Sequence, residues 1–228
     1  MKKLVVLTGA GMSAESGLKT FRDMGGLWEN YAIEEVATPS AWAKNKELVL
    51  RFYNERRSQL AQVEPNGGHY GLVELEKYFD VQIITQNVDN LHERAGSKNI
   101  LHLHGELTKA RSTIENKLIY DIGYKEINIG DHCDLGSQLR PHIVWFGEDV
   151  PEITNAINLT SEADIFVVIG TSLEVYPAAS LIDYVKPGVP IYIIDPNKMH
   201  SAAFREIKHI QEPAVAGVKQ LIELLIGE

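Results

Sequence analysis

The chain has 228 residues, of which 44% are hydrophobic and 23% charged, enough for one sizeable α/β core or a core carrying a small insertion. Its formal charge of −9 argues against general binding to nucleic acid or an anionic membrane, which would need a basic surface, and is compatible with a basic protein or peptide substrate. The single cysteine, Cys133, excludes an internal disulfide, and no stretch approaches the roughly 20 apolar residues of a membrane helix, so a cytoplasmic monomer is expected.

Met1-Lys2-Lys3 precedes the apolar run Leu4–Leu7, which stops at Thr8-Gly9 and reads as a strand rather than an export signal. Further β-branched runs follow at Val81–Ile84, His142–Trp145, Ile165–Ile169 and Ile191–Ile194, all expected to be buried parallel strands. Between them, helices are signalled over Ser40–Gln62 after Thr38-Pro39, Gly67–Phe79 after Asn66, Ala178–Val185 after Pro177, and at the C-terminus by Val215, Val218, Leu221, Ile222 and Leu225. This alternation predicts a doubly wound, Rossmann-like parallel sheet. Two stretches break it: 29–65 is helical without a strand, and 107–141 is weakly patterned. They are assigned to a smaller inserted domain, leaving 1–28, 66–106 and 142–228 as the dinucleotide-binding unit. The expected site is a cleft between the two, outside the carboxyl ends of the strands.

Directly after the first strand, Gly9-Ala10-Gly11-Met12-Ser13-Ala14 matches the G-x-G-x-x-G/A fingerprint, in which glycines let the backbone approach a pyrophosphate. From this fragment alone a tight turn and a dinucleotide site remain equally open. No sheet strand follows at the spacing where a dehydrogenase places its ribose-binding acid. Asp195, ending a late strand, is the alternative ribose candidate, although Asp195-Pro196-Asn197 also reads as a plain turn.

The longer string Gly9–Gly17 followed by Phe21-Arg22-Asp23 resembles the sirtuin family. Four further blocks agree in order: Thr85-Gln86-Asn87-Val88-Asp89-Asn90-Leu91-His92 with Ala95-Gly96, Leu103-His104-Gly105, Leu139–Glu148, and Gly170-Thr171-Ser172. The resemblance implies an NAD-dependent protein lysine deacylase and assigns NAD contacts to Gly9, Ala10, Gly11, Ser13, Ala14, Glu15, Phe21, Arg22, Gln86, Asn87, Asp89, His104, Gly170, Thr171, Ser172, Asp195 and Ala214. His104 becomes the general base and Asn87 a second catalytic group that positions ribose, while Asp89 recognises nicotinamide and Phe21 shields C1′ from water. On spacing alone, His102 and His104 would be two same-face strand residues; the Leu-His-Gly match selects His104. The implied reaction is attack of the acyl-lysine carbonyl oxygen on C1′, loss of nicotinamide, and release of lysine and an O-acyl-ADP-ribose after His104 deprotonates a ribose hydroxyl.

For the protein or peptide substrate, the resemblance places Val144 and Phe146 along the acyl-lysine tunnel, and the Gly147-Glu148 and Glu174-Val175 segments against substrate backbone. Tyr53 and Arg56, three apart on one helix face, resemble the pair with which one sirtuin class reads acidic acyl chains, and Ala37 matches that class's small pocket residue. Succinyl- or malonyl-lysine selectivity follows, with deacetylation as a further activity; a plain charged helix face is the alternative reading of the pair. The family's two zinc-binding cysteine pairs are missing, since only Cys133 lies between His104 and Leu139. No structural zinc is therefore expected, and packing by Leu118, Ile119, Tyr120, Ile122, Tyr124, Ile127 and Ile129 is expected to replace it. ADP-ribosyl transfer to protein and a non-catalytic NAD or ADP-ribose sensor are the competing functions; a dehydrogenase is disfavoured by the missing acid.

Overall fold

The computed structural model describes residues 1–18, 27–28 (backbone only), 31–198 and 207–227. Its strands are β1 (Lys3–Thr8), β2 (Leu27–Trp28), β3 (Tyr31–Ala32), β4 (Asp80–Thr85), β5 (Ile100–His102), β6 (Gly105–Ser112), β7 (Ile119–Asp121), β8 (Leu139–Ile143), β9 (Ile165–Ile169), β10 (Ile191–Ile194) and β11 (Ile207–Ile210). The α-helices are α1 (Gly11–Ala14), α2 (Ile33–Val36), α3 (Pro39–Lys44), α4 (Lys46–Leu60), α5 (Gly67–Leu75), α6 (Leu91–Ala95), α7 (Ile153–Ser161) and α8 (Ala214–Ile226), with a 3₁₀ helix over Ala178–Tyr184.

Six strands form one sheet in the order β11-β10-β9-β1-β4-β5, all paired in parallel. The chain starts in the middle, fills one side through β4 and β5, then returns to build β9, β10 and β11 on the other. The reversal lies between β1 and β9, and ligands of such sheets bind outside the strand ends at this point. Apolar side chains cover both faces, as the continuous runs in β1 and β9 demand. On one face Leu4, Val6 and Val167 pack with α5 and α8 residues such as Leu72 and Val218; on the other Val5, Leu7 and Phe166 pack with Ala156 and Leu181.

A separate antiparallel sheet, β7-β6-β8, follows His104. The segment His142–Trp145 is therefore not a parallel strand of the main sheet: β8 ends at Ile143 and pairs antiparallel with β6. Gly105 explains the diversion, because its φ of +81° turns the chain away from the main sheet immediately after His104. An apolar run alone carries no information about which sheet receives it. The expected helix Ser40–Gln62 is likewise broken into α3 and α4 at Asn45. Asparagine favours a cap over a helix interior, and its Oδ1 accepts from Leu48 N at 3.0 Å, as Thr38 Oγ1 caps α3 through Ala41 N at 3.1 Å. Helix α5 stops at Leu75 rather than Phe79, whose backbone closes the final turn.

The apolar run expected to replace a zinc module packs only in part. Ile127 is buried and Ile122 packs beside it, whereas Ile119, Tyr124 and Ile129 are exposed. Polar contacts hold this region instead. Asn54 of α4 donates to Ile127 O at 3.0 Å and accepts from Ile127 N at 3.0 Å, and Tyr120 Oη donates to Asp134 at 3.0 Å. Leu107, Ile143 and Trp145 then share a buried cluster with Val36, Phe52, Tyr53 and Leu60, joining the small sheet to α2 and α4.

Candidate active site

Strands β1, β4 and β9 are neighbours, and each runs at its carboxyl end into a turn carrying polar groups: 9–14, 86–89 and 170–172. Gly9 N donates to Ile169 O at 3.0 Å and Gly11 N to Gly170 O at 2.9 Å, tying the first and third turns backbone to backbone. A Cβ on Gly9 would stand 2.7 Å from Thr171 Cβ, and one on Gly11 2.6 Å from Gly170 Cα. The fingerprint glycines thus first permit this close approach of two turns, and α1 behind them is only four residues long.

The second turn is bound to the first through side chains. Asn87 Nδ2 donates to Gly9 O at 3.0 Å and to Ser13 Oγ at 3.2 Å, and Ser13 Oγ donates to Asp89 Oδ2 at 2.9 Å. Leu91 N completes the Asp89 carboxylate at 3.1 Å, while burial pushes its pKa up. Gln86 Nε2 donates to Thr171 Oγ1 at 3.2 Å, linking the second turn to the third. Amide, hydroxyl and carboxyl groups thus converge at the switch point, beside two turns whose backbone is bare at the glycines. That donor and acceptor set fits the hydroxyls, pyrophosphate and carboxamide of a nicotinamide dinucleotide.

His104 follows β5. Its Nδ1 bonds Gln86 O at 3.1 Å, and because a carbonyl only accepts, Nδ1 carries the hydrogen. The neutral ring then presents Nε2 as a lone pair, and burial holds its pKa below the usual histidine value. These are the attributes of a base ready at neutral pH. A Cβ on Gly105 would overlap the His142 carbonyl, so glycine is required next to the histidine. Val144 N donates to His104 O at 2.9 Å, coupling this turn to the segment expected to line the acyl-lysine tunnel.

On that side, Ala37 is buried and its carbonyl accepts from Phe146 N at 3.0 Å. Val144 is half-buried, while Phe146, Gly147 and Val175 are exposed. Tyr53 is fully buried, and Trp145 Nε1 donates to its hydroxyl oxygen at 3.0 Å. An indole nitrogen can only donate, so the Tyr53 proton is left for another acceptor. Arg56 is half-buried one turn along α4, with its guanidinium 5.7 Å from the Phe52 ring centroid, and its charge acts on the Tyr53 hydroxyl.

Several assigned residues do other work. Glu148, assigned to substrate through its backbone segment, uses its carboxylate within the protein: it accepts from Arg140 Nη1 at 2.7 Å and Nη2 at 3.0 Å, from Arg111 Nη2 at 3.3 Å and from Trp145 N at 2.8 Å. Arg140 also lies over the Trp145 ring at 3.3 Å, so Glu148, Arg140 and Arg111 fix the loop from within. Sequence reading gave Arg140 no role within its block and passed over Arg111; the charges of Arg140 and Glu148 on either side of the run 141–146 were the available signal, and Arg111 had none. Glu15 is turned to the start of α8, where its Oε2 accepts from Val215 N at 2.8 Å beside the buried Ala214. Asp195 Oδ1 accepts from Asn197 N at 2.8 Å and Nδ2 at 3.0 Å, which is the plain-turn geometry. Ala10 is exposed, Ala14 and Ser172 half-buried, and none contributes a side-chain hydrogen bond among the described residues. Phe21 and Arg22 lie outside the described residues.

Where the family's zinc cysteines would stand, the Cys133 thiol bonds Ser112 Oγ at 3.3 Å and Ser137 Oγ at 3.1 Å, and His132 pairs through its backbone with Gln138. Elsewhere among the described residues, Glu93, His102 and Glu106 cluster closely, but they are consumed by ion pairs: Glu93 with His102 at 2.8 Å and Glu106 with Lys109 at 2.6 Å.

Comparison with known proteins agrees with this geometry. The Sir2 family profile matches residues 9–177. The chain is 55% identical to an NAD-dependent protein deacylase of Bacteroides thetaiotaomicron, over 99% of both chains. It is 53% identical to one of Helicobacter pylori, over 99% of this chain and 98% of the relative. Among solved structures it is similar to a Sir2 homologue in complex with NAD, at a TM-score of 0.89 and 40% identity, covering 99% of this chain and 90% of that one. A variant of a Sir2 homologue bound to ADP-ribose superposes at a TM-score of 0.90 and 40% identity, covering 99% and 92%. The chain belongs to the Sir2 family.

Proposed function

We propose that this protein is an NAD-dependent protein-lysine deacylase whose preferred substrates carry succinyl or malonyl rather than acetyl groups. The deacylase reading rests on membership of the Sir2 family and on relatives that bear that name. The observation that carries it in the site is His104, neutral, with Nδ1 fixed on Gln86 O of the turn that follows β4.

NAD as co-substrate supplies a ribose C1′ that already bears a good leaving group. The chain's own residues then have three tasks: to orient the ribose, to place a weak amide nucleophile, and to keep water away. In this reading Gln86 and Asn87 orient ribose hydroxyls, and Asp89, buried behind Ser13, recognises the nicotinamide. His104 Nε2 takes a proton from a ribose hydroxyl. Val144 and Phe146 flank the acyl-lysine, and an added peptide strand pairs along Gly147 and Val175, at Val175 through its N–H because its carbonyl already accepts from Ala179 N at 2.9 Å.

Support for acidic acyl groups comes from Tyr53 and Arg56. The Tyr53 hydroxyl accepts from Trp145 and keeps a proton to donate, and Arg56 adds a cation on the same helix face. A carboxylate can accept from both side chains, whereas an acetyl methyl can accept from neither. We also propose that the small sheet stands without zinc, on hydrogen bonds from Asn54, Tyr120 and Cys133. Incubation with NAD and a panel of acyl-lysine peptides, read by mass spectrometry, tests the function. Free lysine peptide, nicotinamide and acyl-ADP-ribose in equal amounts, most from succinyl or malonyl peptides, is the expected result; ADP-ribosylated peptide would point to transferase chemistry.

A further inference from the structure

His102 has no task in the reaction above, yet it is held as tightly as His104. The two rings bond consecutive carbonyls of the turn after β4, His104 Nδ1 to Gln86 O at 3.1 Å and His102 Nδ1 to Asn87 O at 3.2 Å. Unlike His104, His102 is engaged at its other nitrogen too, where Nε2 stands 2.8 Å from Glu93 Oε1. Both partners are oxygens that only accept, so both ring nitrogens carry hydrogen and the ring is an imidazolium. The charges around it agree. Glu93 of α6 and Glu106 of β6 favour the cation, Asp89 and His92 of α6 feel its field, and Lys109 of β6 acts on Glu93 and pairs with Glu106. Despite burial, His102 is held above the ordinary histidine pKa, and Glu93 below the ordinary carboxylate value.

We propose that His102, clamped between Glu93 and the Asn87 carbonyl, is a positioning residue that sets the Asn87–Asp89 turn for NAD. Asn87 is buried, and its side-chain amide reaches Gly9 O and Ser13 Oγ from the backbone that His102 holds. Releasing the carbonyl would shift that amide, and with it the contact between the first two turns of the cofactor crevice. Deprotonation of His102 would leave one ring nitrogen with a lone pair facing an oxygen that only accepts, Glu93 Oε1 or Asn87 O, so repulsion would open the clamp at alkaline pH. Glu93→Gln would remove that repulsion, because an amide can donate to the neutral ring while Nδ1 stays on Asn87 O.

This inference rests on the NAD-dependent reading, and direct NAD binding separates the two. Titration calorimetry with NAD, from pH 6 to pH 9.5, would be run on wild type, His102→Ala, His102→Asn and Glu93→Gln. Wild-type affinity should weaken as pH rises through the His102 titration, and Glu93→Gln should stay flat. His102→Ala should bind about 10-fold more weakly at pH 7, with His102→Asn recovering much of the loss through its own donor. His102→Ala serves only if its melting curve is cooperative; Glu93→Gln carries the test otherwise, since Glu93 is partly exposed. Superimposable pH profiles for wild type and Glu93→Gln would overturn the proposal. A wild type that bound no NAD at any pH would overturn the cofactor reading itself.

Discussion

Arg56→Met separates acyl recognition from catalysis. Arg56 is half-buried and stands beside the Tyr53 hydroxyl, whose accepting capacity Trp145 occupies. A charge-assisted bond to a fully desolvated carboxylate can cost about 2–5 kcal/mol when broken. The partial exposure of Arg56 puts this case at the low end, about 2 kcal/mol, which is about 30-fold. The kcat/KM for succinyl-lysine peptides should therefore fall about 30-fold in Arg56→Met, mainly through KM, while that for acetyl-lysine changes less than about twofold. Arg57→Met is the contrast. Arg57 is fully buried and donates to Leu107 O at 2.7 Å and Asn54 Oδ1 at 2.6 Å, so its loss should lower stability and both activities together. Steady-state kinetics on paired succinyl and acetyl peptides of one sequence decides the matter. Equal slowing of both substrates by Arg56→Met would refute the acidic-acyl reasoning and leave the general deacylase.

Two further outcomes concern stability. His69 and His92 are both buried with their rings 4.9 Å apart, and burial lowers both, His69 to about 4 and His92 well below its usual value. Unfolded histidine protonates near 6.5 and folded His69 only near 4, so stability is complete above pH 6.5 and falls as pH drops toward 4. His69 alone accounts for about 3 kcal/mol of that loss. Melting temperature should drop between pH 7 and pH 4.5, less so in His69→Gln, and equal slopes for the two proteins would contradict the assignment. Prolonged treatment with a strong chelator should leave the melting temperature unchanged, because Cys133 is bonded to Ser112 and Ser137; one zinc per chain by elemental analysis would overturn this.

The sequence carried the core strands because β1, β9 and β10 hold unbroken apolar runs of four or five residues, and β4 is a β-branched run interrupted only by Gln82. It did not carry β5 and β11, which are three and four residues long at the sheet's two edges, where pairing rather than pattern defines them. The sheet change at Gly105 was equally hidden, since a glycine in sequence does not disclose its φ. Motifs singled out Asn87, Asp89 and His104; the structure joins Asn87 and Asp89 through Ser13 and sets His104 on the carbonyl of neighbouring Gln86. Glu15 and Glu148 were carried along by the same motifs, yet their carboxylates are used inside the protein, at Val215 N and at the paired arginines. Residues close in a motif need not face the same ligand. His102 was set aside as the less informative of two histidines, and only the two oxygens at its ring nitrogens reveal a role.

The central claim is that His104 is the base of an NAD-dependent deacylation, and the most direct measurement is acyl-ADP-ribose formation by wild type and His104→Ala under saturating NAD and peptide. Removal of a positioned general base lowers rates by about 10²–10⁴-fold. His104→Ala should therefore lose acyl-ADP-ribose production by at least about 100-fold on succinyl and acetyl peptides alike, while keeping the wild-type melting temperature within a few degrees. Retention of a tenth or more of wild-type activity in a folded His104→Ala would contradict the account.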